Sequence, residues 1–231
     1  MKNPVKITTL EWLLDIIYPC YCKGCGKIGT VFCECCFYDN IARNRPFFTK
    51  KDKDFHTIFA CGERMGVLSE LISQYKFLSR RYYKKALARY LYDVILRFSP
   101  REKYVLVPLP TVKKHIRARG FDHIMQVTRE FAALSGFSVC PALIRVNSSV
   151  QVGSDARTRL KQAKEAYLIN SKAILDPKSH YLLVDDVWTT GASMRAARDV
   201  LERRLLQMGA KKARIKISAI CLAKNGGYNF N

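Results

Sequence analysis

The sequence predicts an α/β fold, a parallel sheet flanked by helices, preceded by a small cysteine-rich module. Three observations carry this expectation. The apolar run Tyr181-Leu182-Leu183-Val184 ends without warning at Asp185-Asp186, and a hydroxyl- and glycine-bearing turn, Thr189 to Ser193, leads into a helix expected over 194–208. An uninterrupted apolar run of this length reads as a strand buried on both faces, and its carboxyl end is where open parallel sheets place their ligand crevice. A second such run, Tyr104 to Val107, is stopped by Pro108-Leu109-Pro110 and followed by a cationic stretch and then a helical pattern. Finally, Cys22-Lys23-Gly24-Cys25 and Cys33-Glu34-Cys35-Cys36 form two C-x-x-C pairs near the start.

In chain order, Leu10, Leu13, Leu14 and Ile17 share one face of a helix expected over 8–18. The cysteine pairs follow. Four thiolates converging from two tight turns suit tetrahedral zinc, and Gly24 and Gly26 permit the backbone to fold so that amides point at sulfur. Regular spacing favours Cys22, Cys25, Cys33 and Cys36 as ligands, with Cys20 or Cys35 able to replace a neighbour and a redox-active thiol group as the competing reading. A closed four-cysteine site would be structural, because so small a module cannot bury enough core to fold alone. We expect the helix and zinc module to occupy 1–45, a polar linker 39–54, and the main domain 55–231. Cys61, Cys140 and Cys221 are expected to be buried as small hydrophobes.

Within the main domain, Phe55, Thr57 and Phe59 alternate as an exposed or edge strand. Helices are expected through Leu68, Leu71, Ile72 and Tyr75, through Leu87, Tyr90, Leu91, Val94 and Ile95, and from Phe121 to a stop at Gly136.

Lys and Arg outnumber acids 40 to 19, a formal charge of +21, which suggests polyanionic company such as nucleotides or nucleic acid. The excess thickens at Lys76, Arg80, Arg81, Lys84 and Lys85, read either as a nucleic-acid surface or as a solvated Lys/Arg-rich face. It thickens again at Lys113, Lys114, Arg117 and Arg119, and at Lys211, Lys212, Arg214 and Lys216. No run approaches the roughly 18 apolar residues of a membrane span, and the start does not read as a signal peptide, so a cytoplasmic location is expected.

The string from Tyr181 to Ser193 resembles the 5-phosphoribosyl-1-pyrophosphate (PRPP) loop of type I phosphoribosyltransferases. That resemblance implies that Asp185 and Asp186 hold ribose hydroxyls, directly or through magnesium, and that Thr189, Thr190, Gly191, Ala192 and Ser193 cradle the 5'-phosphate. Lys113, Arg117 and Arg119 would offset pyrophosphate, whose oxygens suit Arg forks. Pro108-Leu109-Pro110, Arg119-Gly120-Phe121, the spaced Arg145, Gln151, Arg159 and Tyr167, the acidic loop and the cysteine module together resemble the ComF family. This implies a phosphoribosyltransferase-like core behind a zinc module, acting in uptake or processing of transforming DNA. Asp122-His123 stands where that family usually has Asn-Gln, Gln162 where an Asn is common, and Thr189 where 6-oxopurine enzymes often place an acid. Three functions compete: phosphoribosyl transfer to an unidentified acceptor, a non-catalytic nucleotide sensor that binds single-stranded DNA or other nucleic acid in competence, and an adaptor recruiting a helicase or recombination protein.

Overall fold

The computed structural model describes residues 19–44, 46–49, 52–77, 81–146 and 166–225. The helix expected over 8–18, and Arg80, Gln151, Arg159 and Gln162, lie outside them, as does the side chain of Arg81.

The elements are α1 (Glu34–Asn44), β1 (Phe47–Thr49), β2 (Ile58–Ala60), α2 (Gly66–Phe77), α3 (Arg81–Phe98), β3 (Val105–Pro108), α4 (Lys113–Arg119), α5 (His123–Ser135), β4 (Ser138–Val139), β5 (Leu143–Arg145), β6 (Tyr167–Ile169), β7 (His180–Trp188), α6 (Ala192–Gln207), a 3-10 turn (Lys212–Arg214) and β8 (Lys216–Lys224). The main sheet runs β1-β2-β8-β7-β3-β4, with β1 antiparallel to β2 and every other pairing parallel. A separate antiparallel pair, β5-β6, stands apart from it. The expected α/β class and mostly parallel sheet are therefore present.

Alternation along β7 divides the core in two. Leu182 and Val184 pack on one face with residues of α2, α3 and α5, whereas Tyr181 and Leu183 pack on the other with residues of α6. The chain leaves β3 for α5 on the first face and leaves β7 for α6 on the second. Adjacent strands whose connections depart to opposite faces make the switch point at which such sheets open a crevice.

Several expectations change. Ile58, Phe59 and Ala60 are all buried because β2 lies between β1 and β8; it is not an edge strand. The edge is β1, inside the segment expected to be linker, and α1 covers the start of that segment. The cationic stretch after Pro110 is the helix α4, none of whose residues is buried. Cys61, Cys140 and Cys221 are buried, as expected.

Candidate functional site

The two acids lie inside β7 rather than just past it, because the neighbouring strands have different lengths. Pairing of β3 with β7 stops at Pro108 opposite Val184, while β8 stays paired to β7 as far as Lys224 opposite Trp188. The chain turns away at Leu109, whose N–H donates to the Val184 carbonyl at 2.9 Å. One flank of Asp185 and Asp186 is thus open while their backbone is held by the other.

Successive strand residues point to opposite faces, so the carboxylates divide the crevice between them. Asp186 faces α2 and α5. Its Oδ2 receives Lys76 Nζ at 2.5 Å and lies 3.0 Å from His123 Nε2. Arg119 Nη1 is 3.2 Å from His123 Nδ1. A guanidinium can only donate, so Nδ1 accepts and the ring proton of a neutral His123 sits on Nε2, donating to Asp186. Burial opposes charge on Asp186, but His123 and Lys76 outweigh it and hold the carboxyl below its usual range. Asp185, whose Oδ1 accepts from the Asp186 amide at 2.9 Å, is pushed up to about 7 by burial and then by the charge of Asp186.

The cleft around them encloses about 280 Å³ and is lined also by Thr111, His115, Arg145 and Tyr167. Asp122 caps α5 by accepting from the Met125 amide at 3.1 Å and takes a 3.1 Å bond from Thr111, which fixes the entry of His123. Arg145 and Tyr167 reach in from the β5-β6 pair, where Arg145 Nη1 donates to the Tyr167 hydroxyl at 2.9 Å.

Beyond Trp188 the loop exposes Thr189, Thr190, Ala192 and Ser193 at the start of the 16-residue α6. Exposed amides at a helix start, with the dipole behind them, attract anions. Gly191 is required twice over. Its φ is +74°, and a Cβ would come within 2.4 Å of the Trp188 ring and 2.5 Å of Arg195. Arg195 straps the loop: its guanidinium lies over the Trp188 ring, donates to the Thr190 carbonyl at 2.9 Å, and pairs with Asp54 at 2.8 Å and Asp52 at 3.3 Å.

Of the residues selected from sequence, Asp185, Asp186 and Arg119 meet at the cleft with the 189–193 loop beside it, whereas Lys113 and Arg117 on α4 are exposed and do not line it. Lys76, grouped by sequence with a basic surface, instead faces Asp186, and Lys84 pairs with Glu130 at 3.1 Å. Lys85 is exposed. The roles of His123, Arg195, Asp52 and Asp54 were missed. His123 alone had a signal, as the departure after Arg-Gly-Phe.

The second cluster is the cysteine quartet. The Sγ atoms of Cys22, Cys25, Cys33 and Cys36 all lie within 4.8 Å of one another, the quartet chosen by spacing. Amides of Gly24 and Cys33 each donate to Cys22 Sγ at 3.4 Å. Burial opposes ionisation of Cys22, but the amides of Cys33, Cys25 and Gly24 prevail and lower it to about 6. A Cβ on Gly24 would strike Cys36 Sγ at 2.6 Å. Four soft donors at this spacing fit zinc.

Among the described residues no other Cys, His, Asp and Glu side chains gather in this way, and no helix is long and apolar enough to cross a membrane. Asp185 and Asp186 therefore offer hard oxygens for magnesium but far fewer than the six it needs; ligand and water would supply the rest.

No family model matches the chain. It is similar to Competence protein F of Haemophilus influenzae, 25% identical over 193 residues that cover 79% of each chain. It is also similar to Competence protein ComFC of Bacillus subtilis, 28% identical over 144 residues, 59% of this chain and 55% of that one. Among solved structures, it is similar to the adenine phosphoribosyltransferase of Leishmania tarentolae (13% identity, 76% of this chain and 94% of that chain, TM-score 0.38). A second is that of Trypanosoma brucei in complex with AMP, pyrophosphate and ribose-5-phosphate (9%, 80% and 92%, TM-score 0.39). A third, the allosteric regulatory enzyme of purine biosynthesis, is 14% identical with a TM-score of 0.37, and the match spans 30% of its length.

Proposed function

We propose, from the premise that this chain is a relative of the ComF competence proteins, that its acidic crevice binds PRPP or a related phosphoribosyl compound together with magnesium. The observation that carries this reading is the open flank of β7, where two carboxylates run directly into an exposed loop at a helix start. Asp185 and Asp186 would take the ribose hydroxyls. The amides and hydroxyls of Thr189 to Ser193 would take the 5'-phosphate, and Arg119 and Lys76 stand on the side where a pyrophosphate would lie against α2 and α5.

In transfer from PRPP the bond from the anomeric carbon to pyrophosphate breaks and positive charge develops on the sugar. Fixed cations at the departing oxygens and carboxylates near the ring favour that charge separation without reorganising. Magnesium, held by Asp185 or Asp186 together with ligand oxygens, would supply further neutralisation of the diphosphate. Thr189 offers no carboxylate to deprotonate an acceptor, and among the described residues no acid other than Asp185 and Asp186 lines the cleft. That favours either an acceptor that loses its proton readily or a sensor that binds without turnover. The cysteine quartet would hold zinc as a structural staple. The charge of +21 supports a role beside nucleic acid in DNA uptake, with a helicase or recombination protein as a further partner.

Isothermal titration with magnesium-PRPP tests the reading, followed by an assay of pyrophosphate release with candidate bases. Binding to the wild type, lost in Asp185→Ala/Asp186→Ala with an unchanged circular dichroism spectrum, is expected. Equal affinity in the double variant overturns it. Binding without release identifies the sensor.

A further inference from the structure

Lys76 and His123 both contact the same oxygen, Oδ2 of Asp186, inside the ligand cleft. The ion pair is well shielded, with 22% of the Lys76 side chain and 14% of that of Asp186 exposed. A divalent cation approaching this carboxylate would meet an ammonium already in place. Moving a shielded ammonium away from its counter-ion leaves an unpaired charge, which is costly unless another anion receives it. Lys76 sits in the last turn of α2, on the side of the cleft shared with Arg119 and His123.

We infer that Lys76 is a built-in counter-ion which admits a divalent cation to Asp186 only when a diphosphate arrives to take the ammonium. This rests on the phosphoribosyl reading of the cleft and adds a rule to it: the site selects a metal–diphosphate complex over either component alone. Free metal competes with Lys76 for Asp186, and free diphosphate, though drawn by Arg119 and Arg145, takes Lys76 only by stripping Asp186 of its ammonium. Together they exchange partners, Asp186 passing to the metal and Lys76 to the diphosphate, so that no buried charge is stranded. The coupling is reciprocal, each component tightening the other by the same factor.

The test titrates Mn²⁺, read by the electron paramagnetic resonance of the free ion, into wild-type protein, Lys76→Met and Lys76→Arg, with and without inorganic pyrophosphate. Complexation of Mn²⁺ by pyrophosphate in solution is subtracted. Wild type is expected to bind Mn²⁺ weakly alone and at least about tenfold more tightly with pyrophosphate, equivalent to about 1.4 kcal/mol of coupling. Lys76→Met should bind Mn²⁺ alone about tenfold more tightly than wild type and lose most of the pyrophosphate effect. Lys76→Arg, which keeps the charge, should resemble wild type and controls for misfolding. Equal Mn²⁺ affinity in wild type and Lys76→Met, or an undiminished pyrophosphate effect in Lys76→Met, overturns the inference. Ribose 5-phosphate is titrated in parallel. Its failure to bind either protein, while Lys76→Met still gains Mn²⁺, removes the phosphoribosyl reading and leaves Lys76 as the counter-ion of Asp186.

Discussion

Asp185 and Asp186 are chemically identical neighbours that the fold makes unlike. Asp186 has an ammonium and an imidazole at its oxygen, whereas Asp185 lines the same cleft with its Oδ1 accepting from the Asp186 amide, opposite Cys221 in register on β8. Burial and the Asp186 charge raise Asp185 to about 7. An acid whose folded value lies above its unfolded value of about 3.9 takes up a proton on folding between the two, so its contribution to stability is present at low pH and is lost as pH rises through that window. Without ligand, the melting temperature of the wild type should therefore fall from pH 5 to pH 8 relative to Asp185→Asn. Parallel melting curves for the two proteins would show that Asp185 is ionised throughout. The acid pair was legible in the sequence because it interrupts an apolar run. Its asymmetry was not, since Lys76 and His123 are distant in sequence and meet Asp186 only through the packing of α2 and α5 on the sheet.

At the scale of elements, the parts defined by short-range rules were readable. The strands at Tyr104 and Tyr181, the helix after the loop and the Gly136 stop depend on apolar periodicity and on a left-handed cap, which local sequence encodes. The parts that depend on a distant neighbour were not. Alternation made β2 look like an edge, yet its burial comes from β8, more than 150 positions away. The extension of β7 through Trp188 likewise follows from the length of β8. The loop between β7 and α6 is the element on which the proposed phosphoribosyl binding would most depend, and Gly191 is its constraint. Gly191→Ala combines positive φ with contact on Trp188 and should destabilise the protein by roughly 1–3 kcal/mol. Both the melting temperature and the affinity for ribose 5-phosphate are expected to drop; retention of both would show that the loop relaxes freely.

Across the whole molecule, the cysteine module shares the core of the main sheet. Phe32 stacks on Tyr90 at 6.1 Å between ring centroids, Phe37 meets the same ring edge-on at 4.9 Å, and the Tyr90 hydroxyl donates to Asn40 at 2.6 Å. Arg89 reaches Glu34 at 3.0 Å and Lys23 reaches Glu70 at 3.1 Å. Metal analysis should return one zinc per chain, and its removal by a chelator, or Cys25→Ser, should lower a single melting transition of the entire protein. A separate low-temperature transition would mean that the module melts by itself. The spacing of the cysteines announced the quartet, but nothing in the spacing announced what it leans on.

The strap formed by Arg195 ties the loop between β7 and α6 to Asp52 and Asp54, just upstream of β2. A chain trimmed to begin at Phe55 would keep every residue of the acidic crevice and still lose both anchors of that guanidinium, along with the aromatic wall over Tyr90. The crevice is thus borrowed in part from the front of the polypeptide, and excising it as a free-standing domain would loosen the very loop that continues from its acids.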